Sequence, residues 1–165
     1  MNTGLRFSEV LGLTWDCIDF DNKLISVHQQ LDRKTKKLKL KTKTQHGMRE
    51  VSLSNQQIAI LKKHKSSQKP ETNIVCSNQL GGFLNQSNVR RAKTSICNKA
   101  KIEDISFHEI RHTHATMLIE IGEPIKYVQE RLGHSDIKTT LNFYVHTNQS
   151  HHQQTADNFS EYFEN

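Results

Sequence analysis

A chain of 165 residues has room for one domain with a real core, and 34% hydrophobic residues, 24% charged residues and a mean hydropathy of −0.71 describe a globular protein with a broad wetted surface. No apolar run approaches a bilayer span and no charged-then-apolar leader opens the sequence, so membrane-embedded and secreted classes are not expected; three scattered cysteines, Cys17, Cys76 and Cys97, match no disulfide framework or zinc knuckle and suit a reducing cytoplasm. A net charge of +6 and a pI of about 9.3 favour a polyanionic partner, nucleic acid before membrane surface.

Thr3 to Trp15 places Leu5, Val10, Leu11 and Leu13 near helical spacing behind Thr3 as a cap, which predicts a helix. Asp19 to Asn22 is a turn into Leu24–His28, an alternating strand with Ile25 and Val27 on one face. Leu38 to Lys41 and Arg49 to Leu53 alternate again, so three short strands are expected to form an antiparallel meander. Its middle connection is the run RKTKKLKLKTK, Arg33 to Lys43, in which Arg33, Lys34, Lys36, Lys37, Lys39 and Lys41 are candidate DNA-binding cations; the plain alternative is a solvated hairpin face. The rest reads as helices: Asn55 to Lys65, Ser87 to Lys101 with Val89, Ala92, Ile96 and Ala100 as its apolar stripe, Phe107 to Ile121 stopped by Gly122, one opened by Pro124 and ended near Gly133, and a last one capped by Ser135 or Asp136 and running through Tyr144. The expected fold is therefore α+β and mainly helical, a small three-stranded antiparallel sheet packed beside a helical core over residues 1–146. A polar tail, 147–165, offers Phe159, Tyr162 and Phe163 as a stripe for docking on a neighbouring protomer.

The first chemistry-bearing stretch is HEIRHTHATMLIEIG, His108 to Gly122. His108 and Arg111 are three apart and so are neighbours on a helix. A guanidinium fork beside an imidazole can hold a phosphate, against the plain alternative of a polar helix face. On a wheel Ile110, Met117, Leu118 and Ile121 are expected to be buried, with His108, Arg111, His112 and Ala115 opposite; His114, on the apolar side, is expected to be a core or boundary histidine. The stretch is also a literal HExxH, which would make His108 and His112 zinc ligands and Glu109 the base of a peptidase. That reading finds no third ligand at a family spacing and leaves Arg111 and the basic run unexplained, so no metal is expected.

RLGHSDIKTTLNFYVH, Arg131 to His146, sets His134 just beyond a glycine-terminated helix and Tyr144 ten residues later. Taken alone, that tyrosine is a packing residue at a helix end. In TGLRFSE, Thr3 to Glu9, Arg6 and Glu9 form an i,i+3 pair, either a surface ion pair or a carboxylate orienting an arginine toward an anion. In KTQHGMR, Lys43 stands just before a glycine-containing hairpin tip.

Thr3-Gly4-Leu5-Arg6-Phe7-Ser8-Glu9, then Lys43, then His108-Glu109-Ile110-Arg111-His112-Thr113, then Leu132-Gly133-His134, then Tyr144, in that order, resemble the tyrosine recombinase family, which includes phage-type integrases. The likeness covers nearly the whole chain, and its pattern absorbs the histidine and arginine of HEIRH. It implies that Tyr144 attacks a DNA phosphate, giving a 3′-phosphotyrosyl link and a free 5′-hydroxyl. Arg6 and Arg111 would offset charge on the phosphate, His134 would donate a hydrogen bond, His108 would handle the tyrosine proton, and Glu9 would support Arg6. Lys43 is the implied acid for the leaving oxygen; Lys41 lies in the same hairpin, and the six-residue distance to Arg49 favours Lys43. The resemblance further implies no cofactor, double-stranded DNA as partner, a tetramer on DNA, a role in a phage or mobile element, and a cytoplasmic, nucleoid-associated location. The family's upstream helices and its DNA-clamping domain do not precede Met1, so a fragment is expected. Two rivals remain: a type IB topoisomerase with similar residues, and a DNA-binding module that forms no covalent adduct.

Overall fold

The computed structural model describes residues 2–41 and 48–141. In chain order it contains α1 (Phe7–Leu11), a 3₁₀ turn (Trp15–Cys17), β1 (Ile18–Asp19), β2 (Leu24–Val27), β3 (Gln29–Leu31), β4 (Leu38–Leu40), β5 (Arg49–Ser52), α2 (Asn55–Ser67), α3 (Gln86–Ala100), α4 (Phe107–Glu120) and α5 (Ile125–Leu132). Residues 137–141 are helical again, opened by Asp136, whose Oδ1 accepts from the Lys138 amide at 2.9 Å. Among the described residues no helix is long and apolar enough to cross a membrane.

The α+β, mainly helical architecture with a three-stranded antiparallel sheet is as expected, but the sheet's membership is not. Its order is β1-β2-β5, with Ile18 opposite Ile25 and Ile25 opposite Val51, while β4 pairs with β3 in a separate ribbon that sets Gln29 opposite Leu40. The inward alternation runs on through Ile25, Val27, Gln29 and Leu31, all buried. At Gln29, however, the inward group is an amide, which donates to the Gly12 carbonyl and to Thr14 Oγ1, both at 2.9 Å. Those bonds tie β3 to the segment after α1, so the strand leaves β5 and the basic run becomes the tip of its own hairpin.

The sheet and α2 share one core, built from Leu13, Trp15, Ile18, Ile25, Val27, Val51, Leu53, Ile58 and Val75. A second core joins α4 to α5 through Ala115, Ile119, Val128 and Leu132. Three helix expectations need correction. The helix expected from Thr3 is only five residues long, because Gly4 adopts the left-handed φ of +63° and Arg6, not Thr3, is the N-cap. On α3 the apolar stripe does not face inward: Ile96 is 65% exposed and Ala92 is exposed, while Gln86 and Cys97 are buried with Val89, Lys93 and Thr94 half-buried. The inner face of α3 is polar because Lys93 reaches Asp104 and the Ile105 carbonyl. On α4 the faces are partly exchanged: Met117 and Ile121 are exposed, while Arg111, His114, Ala115 and Ile119 are buried. The wheel could not weigh a buried arginine, and Arg111 goes inside because two backbone carbonyls receive it there.

Candidate active site

Gly4 begins the site. A Cβ at this position would stand 2.4 Å from His114 Cδ2 and 2.8 Å from Leu132 Cδ2, so only glycine lets the N-terminal segment lie against α4 and α5 at a left-handed φ. The reward is geometric: the Gly4 carbonyl accepts from Arg111 Nη1 at 2.6 Å, and the Leu132 carbonyl from Arg111 Nη2 at 2.5 Å. Two residues on, Arg6 caps α1, and its Nη2 donates to the Gly133 carbonyl at 2.6 Å. Gly133, left-handed at φ +68°, ends α5 and delivers His134 to the same place. Thus two short glycine-directed segments, 127 residues apart, set Arg6, Arg111 and His134 side by side.

Beneath them lies Glu9, 1% exposed. Its carboxylate accepts from the Arg6 amide at 2.7 Å, Arg6 Nη1 at 3.1 Å, Lys41 Nζ at 2.5 Å, and Arg49 Nη1 and Nη2 at 3.1 and 2.9 Å. Burial works to raise its pKa, but the hydrogen bonds and charge of Arg49, then Lys41 and the Arg6 amide, outweigh that and hold it at about 2. One carboxylate therefore stands among the cations Arg6, Lys41, Arg49 and Arg111. The surplus of positive charge is visible in the neighbours: burial, then Arg6, presses the Arg111 guanidinium down to about 9. Burial, then Arg111, Arg6, Arg49 and His108, pushes the His134 imidazole down to about 4. His134 is thus neutral near pH 7, and Thr140 Oγ1 lies 3.0 Å from its Nδ1. In the tautomer whose Nδ1 accepts from Thr140, Nε2 carries the proton and can donate to an anion.

These groups open on a cleft of about 760 Å³ that Arg6, His108, Arg111 and His134 all line, with Arg33, Arg90 and Lys93 further along the wall. Such a cavity, cationic and backed, among the described residues, by the one buried carboxylate of Glu9, can hold an anion such as a phosphate. His108, exposed on the first turn of α4, is aligned by Phe107, which stacks on Phe7 with ring centroids 4.0 Å apart and planes 4° from parallel. The Arg90 guanidinium lies 5.8 Å from the centre of the Phe7 ring. The residue after Arg6 and the residue before His108 are therefore in direct contact.

Of the residues expected from sequence, Arg6, Glu9, His108, Arg111 and His134 come together; Lys43 and Tyr144 lie outside the described residues. Arg33, Lys34, Lys36, Lys37 and Lys39 are exposed around the β3–β4 turn, which Asp32 organises by accepting from the Lys34 and Thr35 amides at 2.8 and 2.7 Å. Lys41 departs from that group: its side chain is 6% exposed and turned onto Glu9, because a buried carboxylate captures it. The zinc reading loses its base, since Glu109 Oε2 accepts from the Ser106 amide at 2.6 Å in a capping box. Among the described residues no group of three His, Cys, Asp or Glu is placed to hold a metal ion.

Sequence reasoning does not single out Arg49, which enters it only as a ruler for Lys43. The signal was there: Arg49 shares a strand face with Val51, which is fully buried, so its charge had to point inward.

Residues 1–151 match the family model described as the phage integrase family. The chain belongs to that family. Among its relatives, the tyrosine recombinase XerC-like protein of Caldanaerobacter subterraneus subsp. tengcongensis is 35% identical over 87% of this chain and 43% of its own length. The transposase from transposon Tn916 of Enterococcus faecalis is 30% identical over 88% of this chain and 40% of its own. Among solved structures, the Tn1549 transposon integrase in complex with a circular intermediate DNA superposes with a TM-score of 0.83 at 26% identity, covering 96% of this chain and 55% of that one. This phage integrase family domain thus spans less than half the length of the curated relatives it matches.

Proposed function

We propose that the domain cuts and rejoins DNA in site-specific recombination of a phage or mobile element, through a 3′-phosphotyrosyl link to Tyr144. The observation that carries the reading is the convergence of Arg6, Arg111, His108 and His134 on one cleft above a cation cluster with a single carboxylate. The Tyr144 oxygen attacks the scissile phosphorus and the bond to the 5′-oxygen breaks. His108 takes the phenol proton, Lys43 supplies one to the departing oxygen, and Arg6, Arg111 and the His134 Nε2–H meet charge on the non-bridging oxygens. Rejoining is the reverse, with a 5′-hydroxyl as nucleophile. Because the phosphotyrosyl bond retains the energy of the broken ester, the cycle requires neither ATP nor a metal ion.

The exposed cations of the β3–β4 turn and Arg90 on the cleft wall follow the DNA backbone on either side of the scissile phosphate. Double-stranded DNA is thus the partner, bound as a tetramer, with the tail of residues 147–165 as an element for protomer contact and the nucleoid as location. The relatives' transposon origins and the DNA in the Tn1549 complex support this choice. The test is to incubate the protein with duplex fragments from the genome that encodes it, denature, and look for protein bound covalently to DNA. The adduct should form in chelator and vanish in Tyr144→Phe; an adduct that persists without Tyr144 overturns the assignment.

A further inference from the structure

Arg49 is not among the residues of the family pattern, yet it touches the supports of two site residues at once. Its Nη1 and Nη2 meet the two oxygens of Glu9 at 3.1 and 2.9 Å, and its Nε donates to the Arg131 carbonyl at 2.6 Å. A Cβ at Gly133 would stand 3.0 Å from Arg49 Nη1, so the guanidinium also packs against the turn that delivers His134. Arg6 also rests on Glu9, and on the Gly133 carbonyl two residues further along the same turn. Arg49 is also the first residue of β5.

We infer that Arg49 is a positioning residue for phosphate transfer: its planar fork fixes the spacing between Arg6 and His134 by holding Glu9 and the Arg131–Gly133 turn together. The inference rests on the strand-transfer reading of the site. A lysine keeps the charge but, as a point donor on a flexible stem, cannot serve both partners in one plane.

The experiment compares Arg49→Lys and Arg49→Gln with the parent in the full protein. In Arg49→Lys the DNA concentration giving half-maximal adduct formation should stay within about twofold, while the saturated rate falls about ten- to a hundredfold, the scale of a lost supporting bond or a small misplacement. A second measurement needs no DNA: carboxyl and amide NMR of the same proteins across pH. Glu9 is faced by Arg6 at the N-cap of α1, Lys41 after β4 and Arg49 on β5, with Arg111 of α4 within its field. In Arg49→Gln its titration should move up toward the ordinary carboxylate range, and the Gly133 and His134 amide signals should shift with it. A parent-like saturated rate in Arg49→Lys, a rate loss that merely tracks lowered thermal stability, or unmoved Gly133 and His134 signals overturns the inference. If the parent itself forms no adduct, the strand-transfer reading fails separately, and the NMR result alone decides the role of Arg49.

Discussion

Glu9 is the residue on which the site's electrostatics turn. Its low pKa makes it a stabiliser that is fully present above the ordinary carboxylate range, near pH 4.5, and lost as pH falls through about 2. Removing its charge leaves Arg6, Lys41 and Arg49 facing one another, so Glu9→Gln should cost about 3–5 kcal/mol at pH 7 by denaturant unfolding, with the gap to the parent closing toward pH 2. Two histidines act in a higher window. His114 is held at about 4 by burial and by Arg131, and His134 at about 4 by burial and Arg111, so both favour the fold most above pH 6.5 and lose that contribution as pH drops toward 4. Gly4 offers a steric test. Gly4→Ala must combine a strained φ with a clash into His114, and should lower stability by about 1–3 kcal/mol. It should also weaken phosphate binding, because the carbonyl that receives Arg111 is displaced.

At the level of elements, the sequence made some features plain and hid others for physical reasons. The alternation of β2, the end of α5 at Gly133 and the inward place of His114 were readable because period, left-handed glycine and burial agree there. Strand partnership was not readable, since alternation fixes which face is inside but not which neighbour pairs. The inner faces of α3 and α4 were misjudged because hydropathy assigns charge to solvent, whereas Lys93 and Arg111 are drawn in by carbonyls and a carboxylate. The β3–β4 turn is where a binding prediction belongs. Replacing Lys34, Lys36, Lys37 and Lys39 with Gln should weaken DNA binding alike on all sequences and flatten its salt dependence by about one unit of slope per lost phosphate contact. Unchanged salt dependence would mean that these lysines only solubilise the hairpin. Arg33 should behave differently, since it lines the cleft as well.

For the molecule as a whole, the site recruits groups from the first residues, the β-hairpins and the helices beyond residue 106, so an anion bound there should brace all three. Sulfate should therefore raise the melting temperature more than chloride at equal ionic strength, by mass action on the folded state. In Arg6→Gln only the general salting-out increment should remain. A parent and variant that respond equally would show that no anion is held. The family pattern was legible because its motifs are short and local in sequence. The clamp beneath them was not, because Glu9, Lys41 and Arg49 are brought together only by the crossing of α1, the hairpin and β5.

The bond from Arg111 to the Gly4 carbonyl spans 107 residues, and that from Arg6 to Gly133 spans 127. Contacts of such sequence separation close very large loops, and their entropy is repaid only after the local hairpins and helices have formed. The cluster of Arg6, Arg111 and His134 should therefore be among the last parts to assemble, which amide hydrogen-exchange labelling during refolding would show. A nascent chain that has not yet released its final helices lacks Arg111 and His134 beside Arg6. On the proposed function, such late closure would keep half-made molecules from cutting DNA.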